Sequence, residues 1–484
     1  LPRFAPRAAA VIEEKLLELI RGFAVLRDRK NLAAFAAWSV VYWSCNGVAT
    51  WQLARGLGLP LSLTGAFATM GLVAYVRQSR AAGRAPHLVF AHDTRFFSRR
   101  FAELAAGTVI ESGGRASLFE SERSTPELSF AVRQLGADAG AVITASHNPS
   151  HDNGFKAYFD DGAQVIEPHA SGIIREVNAV AARMVCRKDR ADPSDRPEIL
   201  GKKIDRAYAS RVLSLVLEPD LVRAHGSKLK VVYSPLHGTG AKMVPGCLRD
   251  LGFQVLTVTE QMQPNGGFPT VKSPNPENAE ALTLGLHLAD REGAGLVLAT
   301  DPDADRMGVA VRNARGKMEL LSGNQIGSLL AFYRLERLFA RGILNASNRH
   351  RARLIKTVVT TDLQKAIAQK FQVPIPETLT GFKYIGEKLR KYEQEALRAA
   401  KLDGMTYRNL GEKEKRDLLL KHSAYYVFGG EESYGYSASD FTRDKDANAA
   451  CVMFAELAAF AKSMGQTVLD YLHAIYTELG YYQE

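Results

Sequence analysis

Cysteine is scarce in this chain of 484 residues, which contains only Cys45, Cys186, Cys247 and Cys451. No two of them have the C-x-x-C spacing, so the sequence predicts neither a disulfide framework nor a zinc site. Scattered single cysteines are typical of a reducing compartment, and we expect a cytoplasmic protein. The sequence also lacks a polybasic block, an internal repeat and a low-complexity tract, which disfavours nucleic acid as a partner.

The first 20 residues do not predict a secretory signal peptide, because charged side chains alternate there with apolar ones at helical spacing. The stretch from Asn31 to Ala54 carries no charge and holds all three tryptophans, Trp38, Trp43 and Trp51. Its length would allow a membrane helix. Its amide and hydroxyl side chains favour a buried segment of a globular fold instead, so we expect no membrane association.

The formal net charge is +10, with 62 Lys and Arg residues against 52 Asp and Glu residues. This balance suits an anionic ligand, either nucleic acid or a phosphorylated metabolite. Hydrophobic residues make up 46% and charged residues 24% of the chain, which is an ordinary globular composition. The length exceeds what one hydrophobic core supports and predicts about three domains.

Short apolar runs alternate with longer helical patterns through most of the chain, and this alternation predicts an α/β fold. We expect the first domain to span residues 1–200, the second 201–318 and the third 319–484. The charged, proline-containing stretch Arg187–Pro197 is the first linker candidate. A charged helical insertion is predicted from Glu387 to Lys421, and a closing amphipathic helix from Asp446 to about Leu472.

The apolar run Ala141–Ile143 predicts a short buried strand, which the following polar cluster, closed by Pro149, cannot continue. Ser146 is therefore expected on a turn at the carboxyl end of the strand, where open α/β sheets place their chemistry. A serine hydroxyl needs a base or an electrophile nearby to act as a nucleophile, and His147 and Lys156 are candidates. Taken alone, the turn is also consistent with a solvated polar loop.

Three carboxylates, Asp301, Asp303 and Asp305, directly follow a second predicted buried strand. At alternate positions of an extended backbone they face one side, and oxygen ligands placed in this way suit Mg²⁺ or another divalent cation. An EF-hand is excluded, because Arg306 stands where that motif requires Gly. Phosphatases with an aspartyl nucleophile also use Asp-x-Asp after a strand, but such a reaction would leave the serine loop unexplained.

A third turn, Gly429–Tyr436, places the adjacent acids Glu431 and Glu432 between glycines. Such carboxylates can accept hydrogen bonds from paired sugar hydroxyls. Taken alone, this pattern is equally consistent with a plain polar turn.

Together these loops resemble those of the α-D-phosphohexomutases, the family of phosphoglucomutases and phosphomannomutases. The resemblance rests on TASHNPSHDNGFKAYF, TDPDADRMGVAV and GGEESYGY, which occur in family order and at family-like separations. It is supported by HDTR, YSPLHGTG, FPTVKSPNPE, TGFKYI and RDKDA, and it extends from about Leu72 to the end. It implies three similar α/β domains with mixed, largely parallel sheets around a central cleft.

The resemblance also implies the catalytic residues. Ser146 would be the phosphoserine, and its phosphate together with Asp301, Asp303 and Asp305 would hold Mg²⁺. Lys156, His147 and His237 would assist proton transfer and catalysis, and Arg306 and Arg95 would lie near the phosphoserine.

The substrate side is implied in the same way. Glu431 and Ser433 would bind sugar hydroxyls, Gly381 and Lys383 would lie in a loop that senses how the sugar is presented, and Arg95 and Arg443 would complete the substrate site.

Two family features are not found. No F-G-T-x-G-x-R-G loop occurs between Leu1 and Thr69, where Ala54–Gly58 is only a faint echo. A small fourth domain with an S-G-T-E-P-like phosphate loop is also not seen. We therefore expect the C-terminal domain to be missing and the chain to represent part of a longer protein.

The implied reaction is a Mg²⁺-dependent shift of phosphate between C1 and C6 of a hexose, with glucose as the expected sugar and hexose 1,6-bisphosphate as intermediate and activator. One alternative is a hexose 1,6-bisphosphate synthase, which would use the same loops. Another is a non-catalytic phosphosugar-binding protein, although such a protein has no need of a nucleophile.

Overall fold

Three β-sheets organise the part of the chain that the computed structural model describes, which is residues 63–79, 84–179 and 196–482. The uncharged stretch with the tryptophans, Cys45, Cys186, the N-terminal echo and most of the linker candidate lie outside these residues. Each sheet is built from consecutive strands and is mixed: parallel pairs predominate in the first and third sheets, and the second has two parallel and two antiparallel pairs. The predicted α/β fold with three similar domains is therefore confirmed, whereas the boundaries at residues 200 and 318 stay a prediction.

The first sheet has the strand order β4-β3-β1-β2-β5, in which only β4 is antiparallel. Its strands are β1 (His87–His92), β2 (Arg115–Phe119), β3 (Ala139–Ile143), β4 (Phe155–Phe159) and β5 (Glu198–Leu200). The residues of β3 are all buried, as its apolar run predicts.

The second sheet has the order β10-β9-β8-β6-β7, and β9 pairs antiparallel with both of its neighbours. Its strands are β6 (Lys230–Ser234), β7 (Gln254–Thr257), β8 (Leu296–Thr300), β9 (Met307–Arg312) and β10 (Met318–Leu320). The third sheet has the order β12-β11-β13-β14, with β14 antiparallel. Its strands are β11 (Ala352–Thr357), β12 (Glu377–Thr378), β13 (Tyr425–Glu431) and β14 (Gly435–Ser437).

Sixteen α-helices connect and cover these sheets within the described residues. In the first domain they are α1 (Leu63–Gln78), α2 (Ser98–Glu111), α3 (Thr125–Gln134) and α4 (His169–Ala179). In the second they are α5 (Lys202–Leu213), α6 (Pro219–His225), α7 (Val244–Asp250), α8 (Thr259–Met262) and α9 (Thr283–Glu292). In the third they are α10 (Gly323–Ala340), α11 (Leu363–Phe371), α12 (Phe382–Ala400), α13 (Gly404–Asn409), α14 (Glu412–His422), α15 (Ala447–Ser463) and α16 (Val468–Leu479).

The closing helix differs from the prediction, because α15 and α16 are separate. Gly465 adopts a left-handed φ of 72°, which ends the first helix, and Thr467 caps the second through a hydrogen bond from the backbone N–H of Asp470. α15 is not amphipathic: nearly all its residues are buried, which is expected of a helix that is apolar all round. Helix α15 therefore lies inside the molecule, and the residues that immediately precede it are also largely buried.

The charged insertion folds into α12, α13 and α14, and its charges are not simply solvated. Arg390 on α12 lies 2.7 Å from the carboxylate of Asp161 in the first domain. Glu393, one turn further, lies 3.1 Å from the guanidinium of Arg133 on α3. Ion pairs thus join the third sheet's helices to the first domain. Among the described residues, no helix combines the length and the apolarity needed to cross a membrane.

Candidate active site

The serine turn lies where the sequence predicts it, just after β3. Ser146 has a left-handed φ of 52°, and its backbone N–H donates to the hydroxyl of Thr144 at 2.8 Å. Lys156 lies on the antiparallel strand β4, directly opposite Val142. This pairing of neighbouring strands places the lysine side by side with the serine turn.

The acidic loop follows β8 in the second domain. Asp301, Asp303 and Asp305 are all buried, and each offers a carboxylate oxygen within 4.8 Å of the others. Burial, reinforced by the charges of the other two aspartates, raises the pKa of Asp301 well above its usual value. Buried carboxylates placed so closely create a strong local demand for a cation.

The serine turn and the acidic loop meet. The Oγ atom of Ser146 donates to Oδ2 of Asp301 at 2.8 Å, and Nδ1 of His147 lies 3.3 Å from the same hydroxyl. Burial, followed by the charge of Arg306, lowers the pKa of His147 to about 4, so its imidazole is neutral near pH 7. The predicted convergence of serine, histidine and aspartate is present in the folded chain.

Two lysines lie against the acidic loop. Nζ of Lys156 lies 2.8 Å from Asp303 and 3.3 Å from Asp305, while Nζ of Lys445 lies 3.2 Å from Asp305. Burial alone would lower the pKa of Lys156, but the two carboxylates outweigh it and raise that pKa above its ordinary value. In this arrangement both ammonium groups are charged.

The acidic loop also fits a divalent metal ion. Oδ1 of Asp303 and Oδ1 of Asp305 are buried and have no hydrogen-bond partner within the described residues. Oδ2 of Asp303 is held by the hydroxyl of Thr125 at 2.7 Å, which fixes the carboxylate's orientation. Unpaired, hard carboxylate oxygens close to one another are what Mg²⁺ or a similar cation requires.

The third predicted loop lies at the end of β13. Oε1 of Glu431 accepts the backbone N–H of Gly381 at 2.7 Å, which joins two of the predicted substrate-binding segments. Oε2 of Glu431 lies 3.9 Å from Nζ of Lys445, which links this loop to the acidic loop. Ser433 follows in the turn after β13, and Lys383 begins α12 with its ammonium 5.3 Å from the ring of Tyr384.

Three predicted residues are engaged elsewhere. Arg443 is fully buried, and its guanidinium pairs with Asp161 at 3.1 Å and with Glu393. The two ring nitrogens of His237 lie 3.1 Å from the carbonyl of Gln263 and 2.9 Å from the hydroxyl of Thr270. Their predicted roles in substrate binding and proton transfer thus find no support in the geometry.

The third residue engaged elsewhere is Arg95. Its guanidinium is buried under the serine turn and donates to the carbonyl of Ser146 at 2.6 Å. It is therefore close to the serine, as predicted, but on the side of the backbone carbonyls. Arg306 follows the acidic loop and pairs with Glu277, which also belongs to a segment that supports the resemblance.

Sequence reasoning missed Lys445 and Thr125 as site residues. Lys445 lies within the RDKDA segment, two positions after Arg443. Gly435 indicates that another side chain passes close to it, because a Cβ there would lie 2.0 Å from Cδ of Lys445 and would block that side chain. Thr125 begins α3 in the first domain, and no sequence pattern connects it to a loop 178 residues away.

A serine hydroxyl beside a buried acidic cluster that can hold a cation is an arrangement suited to phosphoryl transfer, which requires positioning and charge stabilisation. Sequence models described as Phosphoglucomutase/phosphomannomutase, alpha/beta/alpha domains I, II and III match residues 63–184, 206–316 and 322–479. The chain belongs to the phosphoglucomutase/phosphomannomutase family, whose enzymes are intramolecular phosphotransferases.

Individual relatives agree with this assignment. The chain is 33% identical over 404 residues to a phosphoglucomutase of Staphylococcus haemolyticus (strain JCSC1435), covering 82% of this chain and 66% of the relative. It is 32% identical over 423 residues to a phosphoglucomutase of Staphylococcus aureus (strain USA300), covering 86% and 68%. The chain thus spans about two thirds of the length of these curated relatives.

The fold is also found in solved structures. A phosphoglucomutase/phosphomannomutase family protein from Burkholderia thailandensis aligns with a TM-score of 0.62 at 17% identity. The alignment covers 86% of this chain and 76% of that protein.

Proposed function

We propose that this chain carries the catalytic centre of a Mg²⁺-dependent phosphohexomutase, which interconverts hexose 1-phosphate and hexose 6-phosphate. The contact between Oγ of Ser146 and the carboxylate of Asp301 at 2.8 Å is the observation that supports this proposal most directly. It brings the only hydroxyl nucleophile predicted from the sequence to the one group of three buried acids found among the described residues. Family membership supplies the reaction class.

Ser146 is proposed to carry the phosphoryl group. In one half-reaction, the bond between phosphorus and Oγ of Ser146 breaks while a sugar hydroxyl oxygen bonds to phosphorus. The proton of that hydroxyl passes to Oγ, which restores the serine and gives a hexose 1,6-bisphosphate. In the second half-reaction, the other phosphate returns to Oγ, and the sugar leaves as the isomeric monophosphate. The bisphosphate therefore acts as intermediate, and added bisphosphate primes the serine and acts as activator.

Asp301, Asp303 and Asp305 would hold Mg²⁺, as the closeness of their carboxylates and the orphaned buried oxygens of Asp303 and Asp305 suggest. When bound, the ion supplies charge stabilisation to the transferring phosphoryl group. Lys156 and Lys445 lie against the same carboxylates, so their ammonium groups are placed to orient phosphoryl oxygens and to hold a proton near the sugar hydroxyl. His147, neutral near pH 7, can donate its Nδ1–H to Oγ of Ser146, whose own proton is given to Asp301.

Glu431, Ser433, Gly381 and Lys383 are proposed to bind the sugar, with glucose as the preferred hexose. Glu431 is buried, and burial raises its pKa, so a hydrogen-bond donor that reaches it is strongly favoured. The link from Glu431 through Lys445 to Asp305 would keep the sugar in line with the phosphoryl group. The substrate is a small phosphosugar, and the scattered cysteines support a cytoplasmic setting.

A coupled assay with the 1-phosphates of glucose, mannose and glucosamine, with and without glucose 1,6-bisphosphate, tests the function and the sugar together. We expect glucose 6-phosphate formation that requires Mg²⁺ and rises when the bisphosphate is added. Formation and release of bisphosphate without isomerisation would point to a synthase instead.

The control is Ser146→Ala, which removes the hydroxyl and leaves the turn in place. We expect no turnover and no phosphate on the protein by intact-mass measurement, whereas a fraction of the wild-type protein carries one phosphate. Turnover by Ser146→Ala above the background of the assay would sink the assignment.

A further inference from the structure

The serine loop, residues 144–153, is not held mainly by its own backbone. Within it, the carbonyl oxygens of Ser146, Asn148, Pro149 and Asp152 all turn toward one guanidinium group. Nη2 of Arg95 donates to Ser146 and to Asn148, each at 2.6 Å. Nη1 donates to Pro149 at 2.6 Å and to Asp152 at 3.1 Å. One side chain thus fixes four peptide groups of the loop.

Arg95 is itself fixed from two domains. Its Nε lies 3.1 Å from the carboxylate of Asp93 at the end of β1, and both side chains are fully buried. The guanidinium lies 5.1 Å from the ring centre of Phe268, which belongs to the second domain. Gly266 packs so closely that a Cβ there would lie 2.9 Å from the Arg95 backbone. The position of the guanidinium is therefore set by both domains.

A guanidinium has five N–H donors and no acceptor. In Arg95, the four N–H groups of Nη1 and Nη2 donate to loop carbonyls. Nε makes no hydrogen bond within the described residues but is fully buried beside Asp93, so no donor of Arg95 is exposed toward a substrate phosphate. The guanidinium of Arg95 therefore satisfies these four carbonyl groups on the buried side of the serine loop. The opposite side of the loop then presents the Ser146 hydroxyl to Asp301, with the serine in a left-handed conformation that surrounding contacts must maintain.

We propose that Arg95 is a positioning residue, which holds the serine loop in the shape that presents Oγ of Ser146 to the acidic loop, and that it does not bind the substrate. This inference rests on the proposed function, since the position of Oγ matters only if Ser146 carries the phosphoryl group. It departs from the substrate-binding role that the resemblance implies for Arg95.

Arg95→Lys keeps the charge but has three compact donors, which cannot reach four carbonyls in different directions. We expect phosphorylation of Ser146 by glucose 1,6-bisphosphate and kcat to fall by about 10²-fold, as for a reacting atom misplaced by about 1 Å. KM for glucose 1-phosphate should stay within about twofold, because no substrate contact is lost. Millimolar guanidinium chloride added to Arg95→Ala should restore part of the phosphorylation rate.

Arg334→Lys is the matched control. Arg334 is equally buried and donates to the carbonyls of Val427 and Leu215, each at 3.1 Å, among residues that do not form the site. It should lower the unfolding temperature without changing the rate of Ser146 phosphorylation. Equal loss of phosphorylation in Arg334→Lys and Arg95→Lys would overturn the proposal, as would a raised KM with unchanged kcat in Arg95→Lys.

Backbone amide hydrogen exchange tests the positioning role of Arg95 independently of phosphoryl transfer. Amides of residues 146–153 should exchange faster in Arg95→Lys than in the wild type, while protection of β3 is retained. If the wild type never accepts phosphate but this local change occurs, the proposed function fails and the positioning role stands. Should Arg95→Lys fail to fold, Phe268→Leu leaves Arg95 in place and is expected to give a smaller change of the same kind. Unchanged exchange in the loop of the folded variants contradicts the proposal.

Discussion

The molecule contains two buried clusters of charge that use the same residue types differently. The acidic loop places Asp301, Asp303 and Asp305 together and leaves two carboxylate oxygens without a hydrogen-bond partner. The second cluster joins the first and third domains, and there each carboxylate is matched by guanidinium groups. Its pairs are Arg390–Asp161 at 2.7 Å, Arg443–Asp161 at 3.1 Å, Arg133–Glu393 at 3.1 Å and Arg443–Glu393.

We propose that the acidic loop binds a metal ion, whereas the second cluster only connects two domains and is here called the structural joint. In the joint, burial alone would raise the pKa of Asp161, but Arg390 and Arg443 hold it below its usual range. In the acidic loop, the pKa of Asp301 is instead raised by burial and by the other two aspartates, while nearby lysines outweigh burial and lower the pKa values of Asp303 and Asp305. A carboxylate already matched by arginines has no need of a metal ion, whereas the acidic loop gains from one.

Asp303→Asn gives the largest expected effect. It removes an oxygen that we propose binds Mg²⁺ and part of the charge that holds Lys156, so we expect kcat to fall by about 10²–10³-fold. Excess Mg²⁺ should restore it only in part, and calorimetry should show weaker Mg²⁺ binding. The free energy of unfolding without Mg²⁺ should fall, but by less than in Asp161→Asn, since relieved repulsion among the acids offsets part of the lost pairing with Lys156. Full activity of the wild type in EDTA would contradict this prediction.

Glu431→Gln, which changes a residue linked to the acidic loop through Lys445, should reduce catalysis less than Asp303→Asn does. It weakens hydrogen bonds to the sugar and the link to Lys445, so KM should rise and kcat should fall together, by about 10-fold each. The phosphate content of Ser146 should be unchanged, because Thr144 and Arg95, not Glu431, hold the serine turn. Loss of the phosphoserine with unaltered sugar affinity would place Glu431 in a different role.

Asp161→Asn makes the same chemical change as Asp303→Asn, but in the structural joint. It leaves Arg390 and Arg443 without their carboxylate, and breaking a buried pair costs about 3–5 kcal/mol. Urea unfolding should report this loss, while Mg²⁺ affinity and kcat of the folded protein stay unchanged. If Asp161→Asn lowered Mg²⁺ affinity as much as Asp303→Asn, the distinction between the two clusters would fail.

The sequence predicts the loops of this protein better than the connections between them. Ser146 and the three aspartates each follow a strand with a clear apolar pattern, so their positions at strand ends were readable. The contacts of Thr125 with Asp303 and of Arg95 with four carbonyls depend on how separate chain segments pack, which no periodicity reports. The substrate-binding role of Arg443 stays a prediction. A motif gives only a residue's neighbourhood, and packing is needed to show that Lys445 reaches the acidic loop while Arg443 pairs with Asp161 and Glu393.

The ends of the helices are also difficult to predict from the sequence alone. The pattern of the closing helix continues across Gly465, and apolar spacing alone does not distinguish one long helix from two. The glycine's left-handed φ and the Thr467 cap decide the break. The burial of α15 on all sides was also not evident, because its many alanines are compatible with an exposed face as well as with close packing.

Glu456 on α15 allows a last test, which concerns a buried acid that belongs to neither cluster. Its Oε1 accepts the backbone N–H groups of Leu217 at 2.7 Å and Glu218 at 2.6 Å. Burial raises the pKa of Glu456 to about 7, against the usual value of 4.5. The folded state therefore holds a proton that the unfolded state releases, and this contribution to stability is complete below pH 4.5 and is lost as the pH rises through 7. Glu456→Gln should match the wild type near pH 5 but be more stable at pH 8 by about 2–3 kcal/mol, with kcat unchanged. Urea unfolding at both pH values measures this, and a constant difference between the two proteins from pH 5 to pH 8 would show that Glu456 does not titrate in this range.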